Sequence, residues 1–156
     1  MTFDERVLAE RRTFLAEKLA VVERLSGHLD FSLNRLSYPL ASLDDLDPVS
    51  LESVSALVER FGKWQDLLSG VFREIAVLSG EDASDMNRVF ARMEKLGILG
   101  SAEQWRAMWV LRNLGAHEYD PNDAGRARFI NALAADAPEL RAIAERAARH
   151  TAENLN

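Results

Sequence analysis

The sequence contains no cysteine, which excludes disulfide bonds, thiolate catalysis and cysteine-based zinc sites. It also lacks an apolar run that could span a membrane, and its first residues lack the basic and apolar pattern of a signal segment. We therefore expect a cytoplasmic protein with no membrane partner. Positive charge is in the minority: the net charge of −6 argues against a general nucleic-acid coat, although a local cationic cleft is compatible with it.

Alternation of apolar and polar residues with period two is nearly absent, as are glycine-rich phosphate loops, nucleophile elbows and tandem repeats. Apolar residues instead recur at helical spacing along the whole chain. A chain of 156 residues, 47% of them hydrophobic, can bury a substantial core, so we expect one domain over residues 1–156. The pattern predicts an all-α fold, an up-down bundle of four main helices followed by a split C-terminal helix.

The first helix is expected to be long and to begin after Thr2, which forms a capping box with Glu5. Its apolar residues recur every seven positions, at Leu8, Leu15, Val22, Leu29 and Leu36. This seam is typical of a bundle or a dimer. A free-standing coiled coil is less favoured because Ser26 interrupts the seam and further apolar helices follow. Pro39 disfavours helical geometry at Tyr38, so the helix should end nearby.

The second helix, about residues 49–78, is capped by either Asp47 or Ser50. This helix carries three cations, Arg60, Lys63 and Arg73. They could add positive potential to an RNA cleft, but a solvated helix face is the favoured interpretation.

A short third helix runs from about Met86 to Leu96 and is stopped by Gly97. Arg88 and Arg92 are four residues apart on one side of it and are candidate RNA-phosphate contacts. An ordinary amphipathic surface is the alternative.

The C-terminal segment is predicted to contain a turn at residues 120–123, then a short helix through Phe129 and Leu133. Asp136 to Pro138 should break that helix and start the last one. These helices carry many alanines, which suggest close helix packing rather than chemistry.

The fourth helix carries the candidate site. It should start at a Ser101 to Gln104 capping box and run to about residue 116. Helical geometry places Arg112 near the centre of an apolar stripe formed by Trp105, Met108, Trp109, Ala116 and Tyr119. A guanidinium at such a position needs a partner or a wet cleft.

Arg112 and His117 lie about 140° apart on an ideal helix, whereas Asn113 and His117 share another face. One continuous helix therefore cannot direct Arg112 and His117 at one point. Either the helix loosens at Gly115 so that His117 swings round, or two copies of the chain supply the two groups across a symmetric interface. Both alternatives create a site near the end of this helix.

A permanent cation, a group that titrates near neutrality, an amide and a phenol suit a phosphodiester substrate. The imidazole of His117 can exchange a proton with the ribose 2′-hydroxyl or the leaving oxygen, and Arg112 can stabilise charge on the phosphate. Asn113 would orient the pair, and no metal or cofactor is required. The structural alternatives are that Arg112 stacks on a tryptophan or pairs with an acidic side chain of another helix, and that His117 only interacts with the helix end.

The segment Arg112-Asn113-Leu-Gly-Ala-His117-Glu118-Tyr119 resembles the Arg-x-x-x-x-His-x-Tyr signature of HEPN-domain proteins, especially HepT-type toxins. The similarity is sharpest over residues 86–119. It implies an all-α homodimer that acts as a metal-independent endoribonuclease on tRNA or mRNA, paired with a minimal nucleotidyltransferase antitoxin. It also implies that Tyr119 can accept AMP from that partner, whereas the residues alone equally fit a core tyrosine.

The rival hypothesis is a catalytically silent HEPN module that binds a nucleotide or presents a substrate to a partner nucleotidyltransferase. The acidic balance favours this rival, and the intact Arg, His and Tyr pattern favours the nuclease. A third hypothesis is a helical dimer whose apolar seam docks a partner.

Overall fold

The computed structural model describes residues 1–115 and 123–156 of the chain. In this described part the chain forms five helices: α1 (Phe3–Leu33), α2 (Pro48–Leu78), α3 (Met86–Lys95), α4 (Ala102–Gly115) and α5 (Asp123–Asn154). The same residues contain no β-strand, so the all-α prediction is confirmed. None of the helices described is both long enough and apolar enough to cross a membrane.

Side-chain caps fix the starts of the two long N-terminal helices. The Thr2 hydroxyl accepts a hydrogen bond from the Glu5 amide at 3.2 Å, and the Glu5 carboxylate accepts one from the Thr2 amide, so the predicted capping box is confirmed. At α2, Asp47 accepts a hydrogen bond from the Ser50 amide at 2.7 Å. That bond lowers the pKa of the Asp47 carboxyl group because it stabilises the charged form.

The first helix ends at Leu33, earlier than the expected end near Tyr38. Asn34 continues the backbone into a tight turn, and the Tyr38 hydroxyl donates a hydrogen bond to the Leu33 carbonyl at 2.8 Å. The helix does not continue past the Leu33 carbonyl, and the Tyr38 side chain supplies a donor to it. Leu40 lies beyond the helix but is still buried in the core.

Tyr38 is 37% exposed, and the partial burial of its phenol raises the pKa from 10.0 to about 12, which predicts a measurable pH dependence. Above about pH 10 the unfolded chain releases this proton while the folded chain keeps it, so the stability contributed by Tyr38 should fall as pH rises towards 12. In a Tyr119→Phe protein, Tyr38 is the only tyrosine. Tyrosinate absorbance after a rapid pH jump should give a midpoint near 12, and the denatured protein a midpoint near 10. A midpoint near 10 in the folded protein would contradict this.

The seam of α1 packs against α2, which confirms bundle packing. Leu15, Val22 and Leu29 are all buried there, whereas Leu8 is 39% exposed and lies outside the core. Ser26, which interrupts the seam, accepts a hydrogen bond from the indole N–H of Trp64 at 2.9 Å. The polar residue is therefore a partner for a buried tryptophan rather than a defect in the packing.

Helix α2 is the centre of the bundle and contacts each of the other four helices. Its buried face includes large side chains with almost no exposed surface: Phe61, Trp64, Leu68, Phe72 and Ile75. A salt bridge between Arg11 and the buried Glu74 adds a polar link between α1 and α2, with an N–O distance of 2.9 Å.

The C-terminal segment is one helix, so the predicted split at residues 136–138 is wrong. Helix α5 continues through Pro138, which is exposed, and the neighbouring Leu133 and Leu140 are both buried. A proline inside a helix removes one backbone hydrogen bond, but core packing on both sides keeps the two halves in one element. The predicted turn over residues 120–123 falls largely outside the described residues.

Replacing Pro138 by alanine is expected to stabilise the protein by about 1 to 3 kcal/mol, because the new amide can complete the helical hydrogen-bond ladder. Pro48→Ala is the matched control. Pro48 is the first residue of α2, where the amide has no helical acceptor, so its replacement should change stability by less than about 0.5 kcal/mol. Denaturant unfolding measures both, and equal effects of the two substitutions would refute the argument.

Candidate functional site

The buried side of α4 is narrower than the predicted stripe. Trp105 and Met108 are each 3% exposed, whereas Trp109 is 49% exposed. Trp109 lies about 40° around the helix from Trp105, beyond the arc that faces the core. The apolar stripe of α4 therefore extends beyond the buried side of the helix, and the Trp109 indole is available at the surface.

Arg112 joins α4 to α2. Its Nη1 atom donates hydrogen bonds to the Asp66 carboxylate at 2.7 Å and to the Gly62 carbonyl at 3.3 Å. Its guanidinium carbon lies 5.9 Å from the centroid of the Trp109 ring. The ion pair with another helix and the contact with a tryptophan are both expected if Arg112 has a structural role. Only 17% of the Arg112 side chain is exposed, so the guanidinium is held in one place.

An aromatic groove lies beside this ion pair, between α2, α3 and α4. We call it the α2–α3–α4 groove, and its volume is about 610 Å³. Apolar side chains form most of its surface: Met86, Phe90, Trp105, Trp109 and Val110. Asp66, the partner of Arg112, also lines it, whereas Arg112 itself does not.

Two arginines line the groove, Arg73 from α2 and Arg106 from α4. Neither has an acidic partner within salt-bridge distance among the described residues. Arg73 was one of the three cations considered for an RNA cleft. The sequence pattern does not mark Arg106 as a site residue, although Arg106 is next to Trp105. Its role depends on how α3 packs against α4, which sequence spacing alone does not specify.

The other two cations of α2 serve the bundle or its surface. Arg60 donates hydrogen bonds to the Ser32 hydroxyl at 2.6 Å and to the His28 carbonyl at 3.1 Å. Lys63 pairs with Glu59 one turn earlier at 2.7 Å. Neither residue lines the groove, so of the three cations on α2 only Arg73 does.

Arg88 and Arg92 on α3 do not line the groove either. The Nε atom of Arg88 lies 3.9 Å from the Asp85 carboxylate, and that of Arg92 lies 3.4 Å from the Glu81 carboxylate. These contacts are those of an amphipathic surface. A role of the two arginines in binding RNA stays a prediction.

His117, Glu118 and Tyr119 lie outside the described residues, as does any loosening of the helix beyond Gly115. Asn113 is half-buried, next to Arg112. The structure thus brings together Arg112 and Asp66 with the aromatic groove.

The chain matches no protein-family model, no curated protein and no solved structure. In the ranges 1–115 and 123–156, no three histidine or acidic side chains are grouped as metal ligands would be. The described residues form an all-α bundle in which Arg112 pairs with Asp66, at the edge of an aromatic groove that two other arginines line.

Proposed function

We propose that the protein is a metal-independent endoribonuclease toxin that acts as a homodimer in the cytoplasm and is neutralised by a nucleotidyltransferase antitoxin. The observation that carries the proposal is the Arg112-x-x-x-x-His117-x-Tyr119 sequence pattern, whose arginine lies on α4 and pairs with Asp66 at the edge of the aromatic groove. The resemblance of this pattern to HepT-type toxins supplies the reaction and the partner.

In the proposed reaction the ribose 2′-oxygen attacks the adjacent phosphorus, and the bond from phosphorus to the 5′-oxygen breaks. His117 of one copy accepts the 2′-hydroxyl proton as general base, and a second imidazole or water protonates the leaving oxygen. Arg112 stabilises the charge that develops on the phosphate, and Asn113 orients the pair. The products are a 2′,3′-cyclic phosphate, or its hydrolysis product, and a 5′-hydroxyl.

The ion pair between Arg112 and Asp66 is compatible with phosphate binding. The Asp66 side chain is 66% exposed, and exposed pairs of this kind contribute at most about 1 kcal/mol. An RNA phosphate can therefore replace or share the Asp66 contact at modest cost. Arg73 and Arg106 add positive charge on the same side, which offsets the overall charge of −6 locally.

The second candidate is the catalytically silent module that binds a nucleotide or presents a substrate to the nucleotidyltransferase. The observation that favours it is the pairing of Arg112 with Asp66 and the Gly62 carbonyl, a set of contacts that a purely structural arginine would also make. In either case Tyr119 is the proposed acceptor of AMP, by the same resemblance.

Incubation of the purified protein with total RNA and with tRNA in EDTA, followed by mapping of the RNA ends, tests the proposal. Cleavage that leaves cyclic phosphate ends is the expected result. No cleavage by a folded dimer, shown by mass spectrometry to carry no AMP on Tyr119, would refute the nuclease and favour the silent module.

A further inference from the structure

We infer that the α2–α3–α4 groove is a binding site for a planar aromatic anion. The inference goes beyond the proposed nuclease and does not depend on it, because it uses neither His117 nor any step of RNA cleavage. It follows from the size of the groove, the fixed orientation of its aromatic side chains and the charges of the residues that line it.

The dimensions of the groove fit a small molecule. Its volume of about 610 Å³ falls inside the range of ligand sites, which is roughly 300 to 1,000 Å³. Mostly apolar walls with a few polar groups are the usual composition of such sites. Here the polar residues that line the groove include Ser69 and Asn87.

The aromatic wall is fixed before any ligand arrives. The Trp105 ring packs against Phe72 with centroids 5.3 Å apart, against Trp64 at 5.9 Å and against Phe90 at 6.4 Å. Trp105 is therefore held in one orientation, and no entropy of that side chain is lost on binding. Trp109 and Val110 are about half exposed and form the outer wall, where a flat ring can stack.

The charges at the groove select an anion. Asp66 is the acidic residue that lines it, and its carboxylate is already paired with Arg112 at 2.7 Å. Arg73 and Arg106 both line the groove without an acidic partner in the described part of the chain. The remaining positive charge is complementary to a sulfonate, carboxylate or phosphate.

Two sources supply this chemistry: a nucleotide, free or at the end of an RNA strand, and an aryl acid without a nucleoside. Both present a flat ring and a negative group, so they share the stacking wall and the arginines. A nucleotide site should also bind AMP, so AMP should displace a bound probe there, whereas a site for an aryl acid should not bind AMP.

The test uses two fluorescent probes with the same rings, the anion anilinonaphthalene sulfonate and its uncharged analogue N-phenylnaphthylamine. Energy transfer from tryptophan reports binding of either probe to the protein, and the variants locate the site. Val110→Glu places a carboxylate in the wall and should weaken binding of the anionic probe at least about tenfold. The matched control is Val49→Glu, since Val49 is 57% exposed and Val110 is 54% exposed, but Val49 lies outside the groove. The control should bind as the wild type does.

Charge selection is tested separately. The double variant Arg73→Gln/Arg106→Gln should weaken the anionic probe about fivefold or more and leave the uncharged probe unchanged. Competition by AMP identifies a nucleotide site, and binding of the sulfonate without such competition identifies an aryl acid site. Both results support the inference.

Three results with the probes would each overturn it: no saturable binding of the anionic probe by the folded protein, equal weakening by Val49→Glu and Val110→Glu, or equal effects of the arginine variant on both probes. Sedimentation of Val110→Glu tests whether a second copy of the chain occupies the groove instead of a ligand. A dimer that dissociates only in this variant, with no loss of probe binding, would assign the groove to a second copy and refute a ligand site.

Discussion

His117→Ala is expected to lower the rate of RNA cleavage in EDTA by about 100- to 10,000-fold, the usual contribution of a general acid or base. The physical reason is that water at neutral pH is a poor acceptor for the 2′-hydroxyl proton, whereas an imidazole titrates close to that pH. The measurement is the initial rate of cleavage of a labelled RNA, with the same ends mapped in both proteins.

His28→Ala is the matched histidine control. His28 is exposed on α1, and its backbone carbonyl accepts a hydrogen bond from Arg60. Alanine keeps that carbonyl and therefore keeps the bond. Its replacement should leave the cleavage rate unchanged. Equal rates for His117→Ala and wild type would refute the assignment of His117.

The two roles of Arg112 are separated by comparing Arg112→Ala with Asp66→Asn. Both substitutions break the ion pair between α4 and α2. Arg112→Ala should cost more stability, because it also removes a mostly buried side chain and its hydrogen bond to the Gly62 carbonyl, so cleavage is compared at a temperature at which both variants are folded. Only Arg112→Ala removes the guanidinium that would contact the phosphate. A much larger loss of cleavage in Arg112→Ala than in Asp66→Asn supports the catalytic role, whereas equal losses would show that Arg112 is structural.

Trp64→Ala is expected to have the largest effect on stability, about 3 to 5 kcal/mol, which is the usual cost of removing a large buried aromatic side chain. Trp64 is 1% exposed and lies 6.0 Å from the Phe61 ring and 5.9 Å from the Trp105 ring between centroids. Its removal leaves a cavity that touches α1, α2 and α4 at once. Total stabilities are about 5 to 15 kcal/mol, so the midpoint of thermal unfolding should fall by about 10 °C or more.

Two substitutions control this result. Trp109→Ala removes the same side chain from a position that is 49% exposed, and it should cost less than about 1 kcal/mol. Trp64→Phe keeps most of the ring but loses the hydrogen bond to Ser26, so it measures that bond together with a smaller cavity. Equal destabilisation by Trp64→Ala and Trp109→Ala would contradict the assignment of Trp64 to the core.

Helix positions could be predicted because their signals are local. The apolar spacing of residues 49–78, the cap at Thr2 and the stop at Gly97 each depend on neighbours within one or two turns, and each helix is found near its expected place. The prediction of a break near Pro138 was wrong because it used only the local signal. Intrinsic propensity disfavours proline in a helix, but the burial of Leu133 and Leu140 outweighs it, and burial is a property of the whole bundle.

The residue types of the candidate site follow from the amino-acid sequence alone: Arg112, Asn113, His117 and Tyr119 stand within one segment of eight residues. The pairing of Arg112 with Asp66, the exposure of Trp109 and the groove that Arg73 and Arg106 line all depend on how the helices pack. Helical periodicity fixes which residues share a face within one helix. Which face meets which neighbour depends on packing between helices that are distant in sequence, as Arg112 and Asp66 are, and that information is not local.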